Sequence, residues 1–131
     1  MANHSIREKG RLFLATFVAI FGLSIAISAQ NFSFNSVSNR IITPNGDGKN
    51  DSFTVSFFNP QFSSVDGKIF DLNGHLVSGM TDVSCPSSSP IGLQCMTWNA
   101  TSNGHIVSGG VYVYLIVSGS EVYDGTVVVI R

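Results

Sequence analysis

Thr43-Pro44-Asn45-Gly46-Asp47-Gly48-Lys49-Asn50-Asp51-Ser52-Phe53 is the stretch from which the rest of the chain is read. Pro44 presets one backbone dihedral, and Asn45-Gly46 followed by Asp47-Gly48 offers two places where a positive φ costs little, so the segment is expected to turn tightly and repeatedly. Directly behind it, Ser52-Phe53-Thr54-Val55-Ser56-Phe57 alternates polar and apolar residues with period two, which puts Phe53, Val55 and Phe57 on the core side of a strand. Asn59-Pro60 ends that strand, because proline donates no ladder hydrogen bond.

Moving downstream, the runs Val65 to Asp71 and His75 to Val77 flank Asn73-Gly74, a strong short-range hairpin signal. From Ser78 to Gln94 the chain is polar and reads as a loop, with Pro86-Ser87-Ser88-Ser89-Pro90 enclosed by Cys85 and Cys95. Cys95 to Asn99 resumes strand character around Trp98, the single tryptophan and the expected centre of a small core. Ala100 to Gly104 turns again. Gly110 to Val117, whose Tyr112 and Tyr114 are expected in the same core, and Glu121 to Ile130 form two further strands joined across Ser118-Gly119-Ser120. Thr126 to Ile130 is apolar on both sides of the pleat, which suits an inner strand or one covered by something else. Upstream, Asn31 to Arg40 alternates Phe32 and Phe34 with polar residues as a first strand. About seven strands with no helical period predict an all-β fold, an immunoglobulin-like antiparallel sandwich.

The N-terminus has a different composition. Arg7, Lys9 and Arg11 precede an apolar run from Leu12 to Ile27, followed by the small residues Ser28 and Ala29, the order of a secretory signal peptide. The run is shorter than the roughly 20 apolar residues of a membrane span. Residues 1–29 are therefore expected to be removed, with cleavage after Ser28 or Ala29, leaving 30–131 as one domain that is secreted or held at the cell surface. That domain carries four basic and seven acidic residues. No basic stripe remains, which argues against a nucleic-acid partner. In an oxidising compartment Cys85 and Cys95 are most simply a disulfide.

Three oxygen-bearing residues of the opening loop invite a calcium reading. An EF-hand register from Thr43 puts Asn45 at position three, Asp47 at five and Asp51 at nine, but Thr43 and Thr54 occupy positions one and twelve, where an acid and a bidentate glutamate belong. Asn45, Asp47 and Asp51 thus stand either as a weak calcium site or as groups that bond neighbouring amides and stiffen the turn. No other cofactor is expected. Catalysis finds no support: no Gly-x-Ser-x-Gly elbow occurs, and His75 and His105 each follow a turn within the near-identical octapeptides Leu72 to Gly79 and Ser102 to Gly109. With no third ligand spaced near either histidine, the bland reading is two turns of the same Asn-Gly chemistry.

Taken together, these motifs resemble a known family. Thr43 to Phe53, Ile69 to Val77, the Trp98-Asn99-Ala100 turn in place of Trp-Asp-Gly, and the closing run Gly125 to Arg131 resemble the immunoglobulin-like module shared by the flagellar hook-capping protein and the gliding-motility-associated C-terminal domains of secreted bacterial proteins. The resemblance implies an immunoglobulin-like sandwich. It also implies a place in type IX secretion, as a sorting or surface-attachment signal read by export machinery. Because the module in that family usually follows a long passenger and little precedes it here, the first expectation is a secreted non-catalytic domain for cell-surface interaction, assembly or self-association. The sorting signal is the alternative, and a weak calcium-binding adhesion module is a further one.

Overall fold

A computed structural model describes residues 31–131; the expected signal peptide and its cleavage positions lie outside the described residues. The described residues contain strands and turns and no helix, hence none long and apolar enough to cross a membrane. Eleven β-segments follow in order: β1 Ser33–Ser38, β2 Ile41–Ile42, β3 Phe53–Phe58, β4 Asp66–Phe70, β5 Leu76–Gly79, β6 Thr81–Val83, β7 Leu93–Trp98, β8 Thr101–Ser102, β9 His105–Ile106, β10 Gly110–Ser118 and β11 Glu121–Val129. Nine of them make two sheets, ordered β1-β3-β7-β6 and β2-β11-β10-β4-β5, while β8 and β9 form a small separate hairpin. The two sheets face one another as a sandwich of the immunoglobulin-like kind.

The strand count exceeds the expected seven for identifiable reasons. The first strand divides at Asn39, whose φ of 46° turns the chain from one sheet to the other. β1 then pairs antiparallel with β3, while β2 runs parallel to β11. Within the stretch expected as a loop, Thr81–Val83 forms β6 on the edge of the first sheet, paired with β7 through Thr81↔Thr97 and Val83↔Cys95. All three of its residues are exposed, so its backbone bonds and not its side chains hold it there.

Core positions come from alternation. Phe53, Val55 and Phe57 of β3 are buried, as are Met96 and Trp98 of β7, facing Ile69, Tyr112, Tyr114, Ile116, Val127 and Val129 of the other sheet. A bulge between Phe34 and Ser36 resets β1, so that Phe34 and Val37, three residues apart, both pack on this core. β10 and β11 pair in unbroken register from Gly110↔Val129 to Ser118↔Glu121, closed by Gly119 with φ 58°, the glycine-first form of a two-residue hairpin turn. β11 is an inner strand, with β2 beyond it at Val128 and Val129.

Two loops are held by more than backbone. Asn59, 1 % exposed, donates Nδ2 to the Ser63 carbonyl and to Gln94 Oε1, both at 2.8 Å, and accepts from the Ser63 N–H at 2.9 Å. Cys85 and Cys95 form a disulfide across a separation of 10 residues. Closing so short a loop in the unfolded chain stabilises by about 2–3 kcal/mol in the chain-entropy account.

Candidate functional site

The loop from Thr43 to Phe53 is built around one carboxylate. Asp51 Oδ1 accepts the N–H groups of Asn45 at 3.0 Å and Gly46 at 2.8 Å, and its Oδ2 accepts that of Gly48 at 2.7 Å. Two smaller turns nest inside: Asn45 Oδ1 accepts the Asp47 N–H at 3.0 Å, and Asp47 Oδ1 accepts the Lys49 N–H at 2.8 Å. Thr43 N–H to the Asn50 carbonyl at 2.7 Å closes the base. Gly46 at φ 77° and Gly48 at φ 80° supply the left-handed geometry that lets successive amides converge on one acceptor. The sequence specifies this arrangement locally, because each short polar side chain sits two to six residues from the amide it accepts.

Electrostatics follow from that cage. Donation from the Gly46 N–H, and then from those of Gly48 and Asn45, holds the Asp51 carboxyl below its ordinary value of 3.8, against a partial desolvation that pushes it up. A depressed value in the folded state means that the stabilisation is present above 3.8 and is lost as pH falls through the lower folded value. The Gly46 and Gly48 amide resonances are therefore expected to titrate together with a midpoint below 3.8 and to be flat across the same range in Asp51→Asn. A midpoint at or above 3.8 would remove this account.

The three residues considered for calcium, Asn45, Asp47 and Asp51, do come together. Their oxygens, however, already accept amides, and the amide hydrogens that converge on Asp51 present positive charge where a cation would have to enter. A calcium ion there would share oxygens that already accept the N–H groups shaping the loop. Among the described residues no group of three His, Cys, Asp or Glu is placed to hold a metal.

A second turn repeats the device. Asp71 Oδ1 accepts the Asn73 N–H at 2.8 Å and the His75 N–H at 2.9 Å, and Oδ2 meets His75 Nδ1 at 3.1 Å. Its carboxyl is likewise lowered, first by the His75 backbone donor and then by the His75 side chain and the Asn73 N–H. The twin octapeptides nevertheless turn differently: Gly74 alone takes positive φ in the first, whereas Asn103 and Gly104 both do in the second. His75 follows the first turn and His105 opens β9, and both are exposed.

Trp98, in register with Phe53 at the end of the opening loop, donates Nε1–H to the Thr101 carbonyl at 2.9 Å, and its ring lies 5.3 Å from that of Tyr112. Tyr112 donates its hydroxyl to the Ser108 carbonyl at 2.7 Å. Ala100 is fully buried with φ 58°, a conformation that costs an alanine about 1–2 kcal/mol and a glycine almost nothing. The motif acids and aromatics thus serve turns and core.

What sequence reading missed lies elsewhere, on the outward face of the five-stranded sheet, where Val113 and Leu115 stand between Phe70 and Asp124 around a depression of about 380 Å³. The apolar alternate positions of β10 were its only signal. A family model described as the CHU_C type IX secretion signal domain matches residues 35–129. No curated protein matches the chain.

Proposed function

The chain belongs to the CHU_C type IX secretion signal domain family, and from that premise we propose that the sandwich is a non-catalytic export signal, read as a folded unit by the type IX secretion machinery. The observation that carries this reading is the coincidence of the matched span, 35–129, with the folded body from β1 to β11. A signal recognised as a fold needs its surface and its turns rather than a cleft, which suits motif residues that are spent on turns and core. The expected N-terminal signal peptide would deliver the chain across the first membrane, and the sandwich would act at the second. Release from the cell or attachment to its surface is the expected end point.

Fusing residues 30–131 behind a periplasmic reporter tests the proposal. The reporter is expected outside the cell or on its surface in bacteria with an intact type IX apparatus, and in the periplasm where the translocon is deleted. The same distribution in both strains would sink it. In this reading the Thr43 to Phe53 loop is structural, so millimolar calcium is expected to leave the Gly46 and Gly48 amide resonances in place.

A further inference from the structure

The two outer faces of the sandwich differ in chemistry. On the four-stranded sheet Ser38, Thr54, Thr97 and Thr81 stand in register on successive strands, and the Thr54 and Thr97 hydroxyls lie 3.2 Å apart, a polar face suited to water. The outward positions of the five-stranded sheet are mostly apolar. Val113 registers beside Phe70, which registers beside Leu76, and Val111 beside Val128, which registers beside Ile41. Ile41 and Leu76 are 54 % and 59 % exposed.

One row of this face carries opposite charges about an apolar centre. Lys68 of β4, Leu115 of β10 and Asp124 of β11 lie side by side in register. A two-fold axis running along β10 over Leu115, in the plane between two facing copies, sets Lys68 of each copy against Asp124 of the other, so the row is its own complement. We propose that this face pairs with the same face of a second copy of the chain, giving an isologous dimer. Within one copy Lys68 Nζ meets Asp66 at 2.7 Å, and an ammonium keeps donors for a further carboxylate. With nine residues each in β10 and β11, five in β4, four in β5 and two in β2, at about 3.3 Å per residue and about 4.8 Å between strands, the face measures roughly 460 Å² in plan, somewhat over half the ~800 Å² per partner of a stable interface.

The test is sedimentation of the protein as its cells express and process it. Wild type is expected to dimerise reversibly. Lys68→Asp and Asp124→Lys, each alone, are expected to weaken the dimer at least tenfold. An equimolar mixture of those two single variants is expected to dimerise again, as is the double variant, because each mixed pair restores both Lys-to-Asp contacts. Thr126→Arg, an exposed position of the same face, should weaken it independently, and unchanged Trp98 fluorescence reports that the fold is kept. A wild-type monomer at high micromolar concentration, or a mixture that stays monomeric, overturns the proposal. Export and pairing are read separately: an exported monomer removes the dimer alone, and a dimer that is not exported removes the sorting role alone.

Discussion

Phe53→Ala is expected to lower the stability of the domain by about 3–5 kcal/mol. Phe53 is fully buried, its ring lies 4.9 Å from that of Tyr114 in the opposite sheet, and it registers beside Trp98 on the neighbouring strand. Truncation therefore opens a cavity where the two sheets and the opening loop meet. Domains of this size hold about 5–15 kcal/mol in all, so the loss is a large share. Denaturant unfolding measures it: the midpoint should fall while the slope is kept, since the surface exposed on unfolding barely changes. A loss under about 1 kcal/mol would mean that the site collapses around the smaller residue and that the loop does not depend on this anchor. The same variant is expected to abolish export of the reporter fusion if the sandwich is read as a fold.

The parts of the fold legible in the sequence are those in which one residue reports on its own burial. Strict alternation placed Phe53, Val55 and Phe57 before any partner strand was known, and the two-sided apolar run from Thr126 to Ile130 marked β11 as inner or covered. β6 could not be read that way. Thr81, Asp82 and Val83 are all exposed, and what makes them a strand is pairing with β7, which leaves no trace in composition. The division of the first strand at Asn39 and the bulge at Asn35 were equally silent, since each is a backbone adjustment demanded by the partner sheet.

The site shows the same division. Asn45, Asp47 and Asp51 were legible as oxygen donors at short spacing, and spacing alone left cation and amide as competing partners. The structure adds the amide partners, since Gly46 and Gly48 in the left-handed region turn their N–H groups toward Asp51. The twin octapeptides warn against the reverse inference. Identical Asn-Gly chemistry gives one turn with a single positive φ and another with two, and the difference lies in the strands that each must join.

Gly125→Val is expected to cost about 3 kcal/mol or to prevent folding, and the cause is Tyr114. The two residues register opposite one another on β11 and β10, and a Cβ at Gly125 would lie 2.5 Å from the Tyr114 hydroxyl oxygen and 2.6 Å from its Cζ. Tyr114 is 2 % exposed and wedged against Phe53, so its ring cannot swing aside without opening the core. The ring covers the glycine, as aromatic residues do opposite glycine in paired strands. A double-mutant cycle checks the cause: Tyr114→Leu in the Gly125→Val background should cost less than the sum of the single changes by about 1 kcal/mol or more. Tyr114→Phe should give no such relief, because the ring carbons at 2.6 and 2.7 Å remain. Strict additivity would show that the clash is absorbed elsewhere. The glycine that opens the closing motif is on this account a packing requirement imposed by β10. It follows that cutting the chain at Gly125 cannot test a signal role, since the cut removes Val127 and Val129 from the core together with any surface the export machinery reads.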